Sequence, residues 1–126
     1  MEYSSLVLAF IGDSVFELKI REYFLYKGVA KVNELQTKTS KYASAKGHKK
    51  IVDYLISNDL LSDEELMIYK RGRNAKVNQR RKNFDSENYH ASTGFEAMIG
   101  SLHLSKQEER IGEIVKIITS EFDDEK

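Results

Sequence analysis

The chain contains no cysteine, no proline and no tryptophan, and it carries no net charge. Without cysteine there is no disulfide, no zinc–thiolate centre and no thiol nucleophile, which suits a reducing cytoplasm. Average usage would put about six prolines in a chain of this length, and their absence favours helices over extended edges. Twenty basic residues balance twenty acidic ones, so a polyanionic partner has to be argued from local charge. No run approaches the roughly eighteen apolar residues of a membrane span, and the start lacks a basic and an apolar signal segment. Neither membrane insertion nor secretion by a recognisable signal is expected. What is present, 40% hydrophobic and 32% charged residues in 126, is the balance of one globular domain over 1–126, with an acidic end from about 123 that is expected to fray.

The pattern along the chain is all-helical. In Tyr3–Leu25 the bulky residues Leu6, Phe10, Val15 and Leu18, with Ile11 and Phe16 on a neighbouring row, recur at spacings of three to five. That predicts a largely buried helix, capped by Ser4 or Ser5 and stopped near Gly28. A second helix is expected from an Asn33 cap to about Ala45, with Gly47 as a break. Ile51, Val52, Leu55 and Ile56 mark a third, ending at Ser57–Asn58. Ser62 with Glu65 reads as a capping box opening a fourth helix through Tyr69. Polar residues 83–90 read as a loop. A fifth helix follows from Ser92 or Thr93 to about Leu104, and a second capping box, Ser105 with Glu108, opens a sixth through Phe122.

Three features carry chemistry. Inside the first apolar helix, Gly12 lowers helix propensity by about 1 kcal/mol relative to Ala and opens the backbone to close approach. Asp13 beside it is a carboxylate where core is expected, and it needs a cation or a fixed partner; a plain ion pair with Lys or Arg is the bland alternative. Glu17 lies one turn further and also four residues before Arg21, the favourable order for a surface pair. The second feature is Thr93-Gly94-Phe95-Glu96-Ala97-Met98-Ile99-Gly100, another acid among small and apolar residues. Thr93 and Glu96 alone could be a capping box. Taken with Asp13, two helices each bringing a carboxylate and a glycine could hold a divalent cation through oxygen, Mg²⁺ or Mn²⁺ rather than zinc.

The third is Lys70–Lys82, with seven cationic side chains and no acidic one. Such runs are often solvated surface. Here the charge is concentrated in a neutral chain and interleaved with Asn and Gln, which can bond phosphate and sugar oxygens. Lys38, Lys41, Lys46, His48, Lys49 and Lys50 form a second basic cluster. A carboxylate-held cation beside phosphate-binding cations is a parts list for phosphodiester hydrolysis. A helical RNA-binding protein without catalysis, or an interaction module built on the first helix, are the competing readings.

Leu8-Ala9-Phe10-Ile11-Gly12-Asp13-Ser14-Val15-Phe16-Glu17-Leu18, the segment Lys70–Lys76 and His90–Gly100 together resemble the ribonuclease III family. They look most like its small branch, Mini-ribonuclease III, which has no double-stranded-RNA-binding domain. The resemblance implies an all-helical endonuclease domain acting as a homodimer, whose valley holds double-stranded RNA over two Mg²⁺-dependent sites. It further implies cleavage to 5′-phosphate and 3′-hydroxyl ends and, in this branch, a 23S rRNA precursor as substrate. It puts the catalytic and metal-binding pair on Asp13 and Glu96 and the dimer contact on Phe10. Larger relatives carry acids where this chain has Ala9 and Thr93, so fewer carboxylates face the metal, and Glu17 and Thr93 are supporting positions beside the pair. Arg71, Arg73, Asn74 and Lys76, then Lys46, are the expected RNA contacts.

Overall fold

Local signals in the sequence account for most of where the helices start and stop. The computed structural model describes residues 2–75 and 86–124. Six helices appear among them: α1 (Ser5–Tyr26), α2 (Val32–Ala43), α3 (Ala45–Ser57), α4 (Asp63–Arg73), α5 (Ser86–Leu104) and α6 (Glu108–Phe122). Ser4 caps α1 by accepting from the Val7 amide at 3.2 Å. Gly28 ends it at φ 100°, a left-handed value that glycine takes without strain. The Ser62–Glu65 box opens α4, its two bonds measuring 2.9 and 3.1 Å.

Several boundaries differ from the sequence expectation. Lys31, not Asn33, stands at the start of α2 and makes no side-chain cap. Gly47 is no break: Ser44 caps α3, and Gly47 sits in its first turn with the Lys41 carbonyl 2.2 Å from where a Cβ would be. The fourth helix runs past Tyr69 to Arg73, carrying the first part of the basic segment on its last turn. The fifth begins at Ser86, so residues 86–90 are helix and not loop. Ser105 does not cap α6; its hydroxyl donates to the Ser101 and Leu102 carbonyls, while Glu108 takes His103 at 2.6 Å. Nor is Asp123 frayed. It is buried, and its carboxylate accepts from the Tyr23 hydroxyl and the Lys27 ammonium, each at 2.6 Å.

The centre of the molecule is α5, buried on nearly every side from Ala91 to Leu102, with α1, α3, α4 and α6 packed around it. A helix covered all round is apolar all round, which is why residues 91–102 show little amphipathic pattern. The core joins Phe16, Ile20 and Phe24 of α1 to Phe95, Met98 and Ile99 of α5 and Ile111, Ile114 and Ile118 of α6. Full burial of one such side chain contributes about 2 kcal/mol. Helix α1 is not largely buried as its sequence suggested. Its core face is Ala9, Gly12, Phe16, Ile20 and Phe24, while Leu6, Val7, Phe10 and Leu18 face outward.

Candidate active site

The site is made by glycines before it is made by acids. Where α1 crosses α5, a Cβ on Gly12 would fall 1.8 Å from the Glu96 carbonyl oxygen, and a Cβ on Gly100 would fall 1.9 Å from the Leu8 carbonyl oxygen. The two backbones therefore touch at a reciprocal pair of glycines, a contact closed to any other residue. Asp13 follows Gly12 directly, and Glu96 is the residue on which Gly12 rests. The crossing thus delivers one carboxyl from each helix to the same place, within hydrogen-bonding reach of one another.

That pair is not sealed from water. Asp13 is exposed, and 17% of the Glu96 side chain remains accessible. The expectation of a wholly buried acid at Asp13 is corrected: Asp13 forms the open rim and Glu96 the inner wall. Burial, the hydrogen bond with Asp13 and its negative field push the Glu96 carboxyl up to about 9. Burial first, and then the neighbouring Asp13, disfavours the ionised form of Glu96. The capping alternative for Glu96 is excluded, because α5 begins at Ser86 and Glu96 lies in its middle.

A third helix contributes His48, which the sequence places in a basic cluster with Lys46, Lys49 and Lys50. His48 of α3 is 1% exposed, with its ring centroid 5.4 Å from Phe16 and 5.2 Å from Phe95. Its Nδ1 lies 2.7 Å from Ser92 Oγ and 3.8 Å from Glu96 Oε2. Burial drives its pKa down to about 4, with Asp13 opposing, so the ring is neutral at physiological pH. The signal was available: His48 precedes Ile51, Val52 and Leu55 by three, four and seven residues, the spacing of one apolar helix face.

The remaining expected residues fall elsewhere. The Glu17 carboxylate pairs with Arg21, the bland outcome anticipated for it. Thr93 is buried and its hydroxyl donates to the Tyr89 carbonyl at 3.1 Å, within its own helix. Arg71 and Arg73 are exposed on the last turn of α4 and Asn74 ends it, with the Arg73 guanidinium 5.6 Å from the Tyr69 ring centre. Gly72 seats that turn on Gly94 of α5, where an added Cβ would come 2.9 Å from the Gly94 Cα. Gly94 and Glu96 are two residues apart and point to different sides of α5, so the structure does not gather the basic turn and the carboxyl pair on one helix face. Lys46 is exposed on the first turn of α3, and Lys76 lies outside the described residues. Phe10 is 76% exposed. Among the described residues no cluster of three or more acidic, histidine or cysteine side chains is placed to hold a metal. None of its helices there is long and apolar enough to cross a membrane.

An all-helical domain whose central helix carries an acid against a Gly-Asp pair of the first helix fits one class of nuclease. The Ribonuclease III domain family matches residues 6–107, and the chain belongs to the ribonuclease III family, making it an endoribonuclease of that type. Within the family the likeness is to Mini-ribonuclease 3. The protein of that name from Enterococcus faecalis is 39% identical over 114 residues, 90% of this chain and 86% of that one. The one from Staphylococcus aureus is 43% identical over 115 residues, again 90% and 86%. A crystal structure of a protein from Fusobacterium nucleatum matches with a TM-score of 0.82 at 34% identity, over 94% of this chain and 95% of the other.

Proposed function

We propose that residues 1–126 act as one catalytic domain that hydrolyses double-stranded RNA with Mg²⁺, for which Mn²⁺ can substitute. The products are 5′-phosphate and 3′-hydroxyl ends, and the substrate is a 23S rRNA precursor in the cytoplasm. One observation carries the reading: the α1–α5 crossing, closed by Gly12 and Gly100, brings the Asp13 and Glu96 carboxyls to one place. The Asp13 and Glu96 carboxylates are the residues that would hold a divalent cation there, through oxygen. When bound, such an ion neutralises charge developing on the phosphate and makes a coordinated water more acidic. The chain's own residues do the rest. Gly12 and Gly100 fix the spacing of the two acids, with Asp13 on the open side and Glu96 on the inner wall, where the two would hold the ion.

Substrate grip in this reading comes from Arg71, Arg73, Asn74, Lys76 and Lys46 reaching phosphates and 2′-hydroxyls, the groups through which A-form duplexes are recognised. The exposed face of α1 with Phe10 at its centre is assigned to a homodimer. Beside it lies a groove of about 430 Å³ whose lining mixes apolar residues (Tyr3, Leu8, Met67, Leu104) with charged ones (Glu64, Arg71). The test is incubation of purified protein with a long RNA duplex, with and without Mg²⁺. Fragments that require both Mg²⁺ and Asp13 support the proposal; intact RNA bound by folded protein in Mg²⁺ overturns it. Sedimentation checks the dimer: a dimer at micromolar concentration, made monomeric by Phe10→Glu, is expected, and a monomeric wild type contradicts it.

A further inference from the structure

We propose that His48, held through Ser92, is a positioning residue for the Glu96 carboxylate, fixing its rotamer for the cation that Glu96 shares with Asp13. The inference rests on the reading of that pair as a metal site. Packing alone gives no reason for an imidazole here, because the Phe16 and Phe95 rings it rests against are apolar and a leucine would cover them without burying polar nitrogens. Its geometry supplies one. Ser92 stands one turn before Glu96 on α5, so both side chains meet the face of α3 that carries His48. The ring nitrogen facing them, Nδ1, is 2.7 Å from Ser92 Oγ and 3.8 Å from Glu96 Oε2.

The opposite nitrogen decides the tautomer. Nε2 is buried and has no hydrogen-bond partner among the described residues. A proton there would be a donor with no acceptor, so the neutral ring carries its proton on Nδ1, aimed at Ser92 and Glu96. An N–H next to Glu96 Oε2 favours the ionised carboxylate, the form that binds a cation, and restrains its rotation. Partners that orient a ligating carboxylate in this way commonly change metal affinity about ten-fold or more when removed.

The experiment compares wild type, His48→Leu and His48→Gln by calorimetric titration with Mn²⁺ in the absence of RNA, together with thermal unfolding in EDTA. His48→Leu is expected to fold at least as stably as wild type in EDTA yet bind Mn²⁺ about ten-fold more weakly. His48→Gln, whose amide N–H can face Glu96, is expected to recover most of the loss. Long-range ¹H–¹⁵N correlation on the wild type should show the His48 proton on Nδ1, and this holds as a test if the leucine variant does not fold. Wild-type Mn²⁺ affinity in His48→Leu, or a ring proton on Nε2, overturns the proposal while leaving the metal site intact. A wild type whose Mn²⁺ binding survives Asp13→Asn instead defeats the metal-site reading on which it stands.

Discussion

In the proposed function, the crossing of α1 over α5 and the last turn of α4 solve different problems by different means. At the crossing, backbone lies on backbone, so the places of Asp13 and Glu96 follow from Gly12 and Gly100 and allow almost no adjustment. At the end of α4, Gly72 also seats a helix on α5, but Arg71 and Arg73 extend into solvent on long side chains. Chemistry on a phosphate requires fixed atoms, since displacements of about 1 Å are costly to catalysis. Gripping a polyanion requires charge that can follow a backbone. The two regions should therefore respond differently to substitution: all or nothing at the crossing, and by increments at the turn.

The largest expected effect is on catalysis. Asp13→Asn should lower cleavage of duplex RNA by about 1,000-fold, as loss of several kcal/mol of charge stabilisation implies. Binding of the duplex in Ca²⁺ should change little. Next comes the scaffold. Gly12→Ala would place a methyl 1.8 Å from the Glu96 carbonyl oxygen, and the helices must part, at about 3 kcal/mol or more in denaturant unfolding. A control sits in α6, where Gly112 has nothing among the described residues within 4 Å of an added Cβ. Gly112→Ala should stabilise the protein by up to about 1 kcal/mol.

Acidity gives a third test of the crossing. In metal-free protein Glu96 holds its proton to about 9 against an ordinary 4.5, so the native state binds more protons than the unfolded chain between those values. Its contribution to stability therefore falls as pH rises through that window. His48 has the opposite sign: its pKa is lowered from 6.5 to about 4, so its contribution rises with pH over that interval. The slopes offset each other on the acid side, and a decline remains from about pH 6.5 to 9. Thermal unfolding in EDTA should show it, Glu96→Gln should flatten it, and excess Mn²⁺ should stabilise the wild type most at its alkaline end.

The smallest effects belong to the α4 turn. Arg71→Ala and Arg73→Ala should each weaken duplex binding modestly and reduce the salt slope by about one, with the cleavage rate at saturating RNA nearly unchanged. A loss of turnover as large as that of Asp13→Asn would erase the distinction between the regions.

Much of this was readable from residues alone, because the helices announce themselves by apolar spacing and the Gly-Asp and late Glu positions break local rules. What was missed has physical causes. The first helix was read as buried because it has two apolar faces, and periodicity cannot say which one meets the core. Residues 86–90 looked like loop because a helix turn pointing at solvent has the composition of one. Ser105 looked like a cap, but its hydroxyl is engaged by the end of α5. His48 was grouped with neighbouring lysines although its spacing to Ile51 and Val52 pointed inward. That it faces Glu96 depends on how α3 meets α5, a tertiary fact no local pattern contains. The ion pair of Glu65 with Arg110, two bonds of 2.8 Å joining α4 to α6, is of the same kind.

The most direct measurement is a crystal of this protein soaked in Mn²⁺ and read by anomalous scattering. A peak bound by the carboxylates of both Asp13 and Glu96, absent in crystals of Asp13→Asn, is the predicted result. Manganese bound elsewhere, with the two carboxyls still facing one another and empty, would contradict it.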